Sequence, residues 1–146
     1  MTADEHYRKL EAMYLSAPCN AYYEPSMRIE EGRATVSIRV VPKLFHAAHA
    51  VHGSVYFKLL DDAAFFAVNS LVTDVFVLTT QFNVYLSRPV STGEMKAEGR
   101  VTHAAHRLFV AESILADGDG RELGRGSGTF VPSKIPLGPE VGYGAC

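Results

Sequence analysis

The chain has 146 residues, of which 47% are hydrophobic and 21% charged, and a formal net charge of -2; such values suit one domain around one core. That balance supplies no basic field for a nucleic acid or an anionic membrane surface, which removes both from the expected partners. The opening MTADEHYRKLEAMYL is charged throughout and lacks the apolar core of a secretory signal, so a cytoplasmic location is expected.

Residues 3 to 16 form the first predicted element. Tyr7, Leu10, Met13 and Tyr14 recur at spacings of three and four, with Glu5, Arg8, Lys9 and Glu11 on the other side, the pattern of a short amphipathic helix. Cys19 follows; with Cys146 at the far end it makes neither a metal-ligand spacing nor a disulfide framework, so both are read as free thiols. Beyond Pro18 and Pro25 a strand starts at Ser26, turns at Glu31-Gly32, and returns through Ala34, Val36, Ile38 and Val40, which alternate with polar residues until Pro42. His52 to Ser70 then reads as a helix of about 19 residues, apolar on all sides, the mark of a buried element. Lys58, Asp61 and Asp62 near its middle argue against a membrane span.

After the helix, Val75 to Leu86 is the most β-rich run, expected to present Thr80, Phe82, Val84 and Leu86 on one face and Thr79, Gln81, Asn83 and Tyr85 on the other. Pro89 and Gly93 mark a turn, Met95 to Thr102 and Leu108 to Ala116 alternate again, and Asp117-Gly118-Asp119-Gly120 is a strong hairpin signal. In the last strand Gly124, Gly126 and Gly128 share a face, with Leu123, Arg125, Ser127 and Thr129 opposite; without side chains, the glycine face is expected to let the buried helix come close. The remainder, from about 133 to 146, is rich in Pro and Gly and is predicted to be irregular. A short helix, two strands, a long helix and four strands together predict an α+β fold, one antiparallel sheet wrapped around one central helix.

Chemistry concentrates between His46 and Ser70. A carboxylate on a buried helix is costly to ionise, so Asp61 or Asp62 is either a functional group or a hydrogen-bonded helix carboxylate. Neighbours on a helix point about 100° apart, so the two carboxylates meet different surroundings. At His52-Gly53-Ser54 the first helical amides have no intrahelical partner and the helix dipole favours negative charge, which makes Gly53 either an oxyanion site or a tight turn. His46, His49 and His52 recur every three residues, but the alanines and valine among them supply no further ligand, and no metal is expected. The chain has no G-x-S-x-G elbow, phosphate loop or dinucleotide fingerprint, so any hydrolysis must use a water and not an enzyme serine or cysteine.

The stretch His52-Gly53-Ser54-x-x-x-x-Leu59-Leu60-Asp61-x-Ala63, followed by Thr79-x-x-x-Asn83-x-x-x-x-Arg88-Pro89, resembles the hotdog-fold acyl-CoA thioesterases, specifically the phenylacetate-pathway (PaaI-like) group, over roughly residues 27 to 132. The resemblance implies a single hotdog domain over 1-146. It implies that the Gly53 N–H polarises the thioester carbonyl, that Asp61 is general base or nucleophile, that Thr79 helps hold the water and that His52 braces the turn beside Ser54. No cofactor is implied, since coenzyme A belongs to the acyl-CoA substrate, and Arg88 is expected to meet one of its phosphates. The family has Asn and Gly where this chain has His46 and His49, and a second Gly where it has Ser54; an imidazole donates a hydrogen bond as an amide does, so His46 is expected to substitute as a carbonyl donor. These departures keep open a non-catalytic hotdog protein that binds an acyl ligand or a partner, and further off a hotdog hydratase. Gly53 and Asp61, eight residues apart on one helix, are separated by about 12 Å, too far to act on one thioester. A homodimer with antiparallel helices is therefore the expected minimal unit, possible also as half of a homotetramer.

Overall fold

The computed structural model describes residues 1 to 144; Ala145 and Cys146, and with them the expected free thiol at Cys146, lie outside the described residues. Helix α1 (Ala3–Ser16) is followed by β1 (Ser26–Glu30), β2 (Arg33–Arg39), helix α2 (Gly53–Asn69), β3 (Val75–Leu86), β4 (Glu94–Ala104), β5 (Phe109–Asp117) and β6 (Glu122–Pro136). The strands form one antiparallel sheet in the order β1-β2-β4-β5-β6-β3, wrapped around α2 as in the hotdog fold. Among these residues no helix is long and apolar enough to cross a membrane.

Each helix has a local reason to start where it does. Thr2 caps α1, its hydroxyl accepting from the Glu5 N–H while the Glu5 carboxylate accepts from the Thr2 N–H, a capping box. His52 caps α2 with its ring, Nδ1 accepting from the Ser54 N–H at 3.0 Å. At the other end Asn69, fully buried, holds the chain into β3: its amide donates to Val72 O and Val75 O, and its oxygen accepts from the Val77 N–H. Both amide hydrogens and one oxygen lone pair are thereby engaged, in a place where an unmet polar group costs about 1–3 kcal/mol.

Leu59, Leu60, Ala63, Ala64, Ala67 and Val68 are fully buried, but α2 is not covered all round. Phe57 is 41% exposed, and Gly53, Asp61 and Phe65 are only half-buried. These four residues recur every fourth position and so form one stripe along the helix. The expectation of a wholly buried helix fails on that stripe, which the described residues cover only in part, through Thr79, Phe82 and Phe76 of β3 and Phe130 of β6.

Four further expectations are corrected by the sheet. The close contact between helix and sheet is made at Gly99 on β4, where a Cβ would lie 2.4 Å from the Ala63 carbonyl, and not by the glycines of β6. Gly126 and Gly128 instead make room for the ring of Phe82 on β3, which a Cβ at either would strike. A β-bulge puts Thr80 outside the regular pairing, between Thr79↔Phe130 and Gln81↔Thr129, and an extra residue in a strand reverses the alternation beyond it. Thr79 therefore shares its face with Phe82 rather than with Gln81, Asn83 and Tyr85: Thr79 bonds Asp61 on α2, and Phe82 packs on Phe57 at 5.6 Å. A second bulge, between Leu115↔Gly124 and Ala116↔Glu122, turns Leu123 into the core instead of leaving it beside Arg125. Finally, β6 runs to Pro136, so residues 133 to 136 are strand and not irregular tail. Past Phe130 it pairs only with β3, and an edge without a partner tolerates the missing N–H of Pro132 and Pro136.

Candidate active site

The residues marked in the sequence fall into two groups. The first surrounds the start of α2, where His46, Val51, Gly53, Tyr56, Leu86, Ser87, Arg88 and Pro89 line a hollow of about 300 Å³. Backbone bonds fix its walls: Val51 N–H to Val90 O, His52 N–H to Leu44 O, and the Tyr56 hydroxyl to Arg88 O at 2.7 Å. The Gly53 amide, first in the helix, has no intrahelical acceptor, and a Cβ at this position would come within 3.0 Å of Leu86 Cδ1.

His46 borders the same hollow, and its hydrogen bond fixes which nitrogen faces outward chemically. Its Nδ1 accepts from the Ala48 N–H at 3.0 Å, so in the neutral ring Nε2 carries the proton and is the free donor. His52 and Ser54 do not line the hollow; the Ser54 hydroxyl lies 2.8 Å from His52 Nδ1, and both groups are engaged in the cap. The loop from His46 to His52 strains at His49, which has a φ of +64°, a conformation glycine adopts without cost and other residues rarely take.

The second group lies further along α2. The Thr79 hydroxyl donates to Asp61 Oδ1 at 3.0 Å, leaving Oδ2 and the lone pairs of Thr79 for a further molecule. Phe57 and Phe65 sit four residues to either side of Asp61 on the helix. Burial among such neighbours pushes the Asp61 carboxyl up to about 6; the Thr79 bond opposes the rise, the adjacent Asp62 adds to it and Lys58 opposes it. Asp62 points elsewhere, to Lys58 and Tyr14. One of the two carboxylates is thus held half-buried with a single hydrogen-bond donor, the arrangement a general base needs.

Sequence reasoning missed a third feature. A groove of about 880 Å³ runs between the end of α2, the β4–β5 turn and β6, and His106, Arg107 and Lys134 are among its lining residues. Arg107 and Lys134 make no ion pair among the described residues, and neither does Arg88. The signal available was the basic His106-Arg107 turn, which means little until β6 brings Lys134 to it. No group of three His, Cys, Asp or Glu side chains that could hold a metal occurs among the described residues.

Comparison with known proteins agrees with this architecture. The family model described as "Thioesterase superfamily" matches residues 48–123. A Saccharolobus solfataricus protein whose name proposes an esterase is 26% identical over 104 residues, covering 71% of this chain and 69% of that one. The structure of the E. coli PaaI protein, from the phenylacetic acid degradation operon, superposes with a TM-score of 0.84 at 18% identity, over 93% of this chain and 99% of the other. A Haemophilus influenzae thioesterase superposes with a TM-score of 0.75 at 14% identity, over 82% of this chain and 85% of that one.

Proposed function

The chain belongs to the thioesterase superfamily and has the hotdog fold of the PaaI protein, and from that premise we propose that it hydrolyses an acyl-CoA to the free acid and coenzyme A. The observation that carries the reading is the Asp61–Thr79 pair: a carboxylate with a raised pKa on the half-buried stripe of α2, hydrogen-bonded through one oxygen and open at the other. The thioester oxygen accepts from the Gly53 N–H and from His46 Nε2–H, donors positioned where negative charge develops. Asp61 Oδ2 takes a proton from a water that also donates to Thr79 Oγ1. The water oxygen bonds to the carbonyl carbon, the C–S bond breaks, and the proton passes to the departing thiolate. Direct attack by the Asp61 carboxylate, through an anhydride that water then opens, uses the same groups.

The working unit is a homodimer, in the cytoplasm, with each site shared. Gly53 and Asp61 are about 12 Å apart within a chain, and the first hollow does not include Asp61. Strand β3 lies at the sheet edge with 12 residues and one unpaired side, next to the partly exposed stripe. A second copy paired along β3 would satisfy that edge, cover the stripe and bring the Gly53 of one protomer to the Asp61 of the other. Arg88, Arg107 and Lys134 make no ion pair among the described residues and are suited to the phosphates of coenzyme A.

Incubation with a panel of acyl-CoAs and detection of free thiol tests the reading. Thiol release with at least one acyl group is expected; tight acyl-CoA binding with no release across the panel would make the protein a passive acyl-ligand binder. His46→Asn is expected to keep or raise the rate, because the Asn amide supplies the same donor. A loss of tenfold or more would mean that the imidazole does more than donate a hydrogen bond, since an amide would otherwise replace that contribution.

A further inference from the structure

The doublet Asp61-Asp62 poses a problem that the reaction alone does not solve. Two adjacent carboxylates sit on a mostly buried helix and repel each other's ionised form, yet only Asp61 meets Thr79. Asp62 Oδ2 instead accepts from Lys58 Nζ at 2.9 Å and from the Tyr14 hydroxyl at 2.7 Å. The side chains of Lys58 and Asp62 are each 17% exposed, and Tyr14 is buried. The ammonium stands 5.0 Å from the Tyr23 ring and 5.6 Å from the Tyr14 ring, within range of both π faces. Tyr14 comes from α1 and Tyr23 from the segment after it, so three parts of the chain converge on one ion pair beside the candidate base.

We propose that Lys58 and Asp62, anchored by Tyr14, are positioning residues for Asp61, which decide that Asp61 is the carboxylate facing the site and set the pH range in which it works. The inference rests on the reading of Asp61 as the base. The geometric part follows from the helix: with Asp62 pinned toward α1, α2 cannot rotate to present it, and Asp61 stays opposite Thr79. The electrostatic part follows from the charges around Asp61. On α2 these are Asp62, whose negative charge disfavours a second anion, and Lys58, whose positive charge favours it. From β3 the facing group is the uncharged Thr79. Tyr14 from α1 touches Asp62 with its neutral phenol, whose pKa is raised by burial and by Asp62, and Cys19 and Tyr23 lie near Tyr14. An ion pair this enclosed adds little net stability compared with apolar residues of the same size. Its position next to Asp61 gives it a functional role.

The test exploits the opposite signs of the two partners. Lys58→Met leaves the Asp62 anion alone and should move the acid limb of the kcat/KM–pH profile upward. Asp62→Asn leaves the cation alone and should move the limb downward, each by roughly half a pH unit or more. Lys58→Met combined with Asp62→Asn removes both charges, leaves no buried ion unpaired and should bring the limb back near the wild-type position. It also gives a folded control where a single variant is unstable. Titration of the Asp61 side-chain carboxyl by 13C NMR reads the same displacements without turnover. Shifts in the same direction, or no shift in either measurement, would overturn the network. Opposite NMR shifts together with full hydrolysis by Asp61→Asn would overturn the base assignment and leave the coupling intact.

Discussion

Asp61→Asn is expected to cut acyl-CoA hydrolysis by a factor of about 100 to 10,000, the usual worth of a positioned general base, and at the same time to make the protein more stable at pH 7. Both effects have one origin. The carboxyl has an ordinary value of 3.8 and is pushed up to about 6 by burial in the folded chain, so the fold favours its protonated form. Its stabilising contribution is complete below pH 3.8 and is lost as pH rises through about 6. At neutral pH the wild-type protein therefore carries an ionised group that the fold disfavours, at a cost on the order of 1–3 kcal/mol. Asparagine carries no charge there and its oxygen still accepts from Thr79. Chemical denaturation should show the variant ahead of wild type at pH 7 to 8, with the advantage fading as pH falls from 6 toward 4, while thiol release is nearly absent. The wild-type rate should in turn decline as pH falls through about 6. A variant that loses stability along with activity would mean that Asp61 is a structural carboxylate.

How much of this was readable beforehand depends on which residues carried a local signal. The period of Tyr7, Leu10, Met13 and Tyr14 marks α1, and the His52-Gly53 start and the apolar run after it mark α2, because cap and burial are properties of short windows. The Asp-Gly repeat marks the β5–β6 turn, where Asp117 accepts from the Asp119 and Arg121 N–H groups and Gly120 has a φ of +81°. The bulge at Thr80 has no such mark. It inserts one residue that is chemically ordinary for a strand, and everything after it changes face, so the alternation places Thr79 with Gln81, Asn83 and Tyr85 while the structure places it with Phe82. The glycines of β6 signal a close approach but not its partner, which is the Phe82 ring and not the helix. Lys58, Asp62 and Tyr14 form a unit only after α1 folds back over α2, and Lys134 reaches Arg107 only through the length of β6. Those juxtapositions are tertiary, and no window of sequence contains them.

Mixing two inactive variants should restore activity, and this result bears most directly on how the site is built. Gly53→Pro removes the amide proposed to hold the oxyanion. It does so at the first helical position, where proline fits and the N–H has no intrahelical partner, after a His52 whose φ of -65° and ψ of 144° already suit a residue preceding proline. The fold should survive, as circular dichroism and thermal unfolding would report, while hydrolysis falls by about 100- to 1,000-fold. Asp61→Asn is inactive for a different reason. If every site takes Gly53 from one protomer and Asp61 from the other, a mixed dimer contains one site with both lesions and one with neither. Random reassortment of equal amounts makes half the dimers mixed, so the mixture should recover about a quarter of wild-type activity after unfolding and refolding together, although each parent alone keeps no more than about a hundredth. Sites contained within one chain would give no recovery at any mixing ratio. That outcome would require Gly53 and Asp61 of the same protomer to meet across about 12 Å of helix, which a rigid helix does not allow, so it would also remove Gly53 from the oxyanion site.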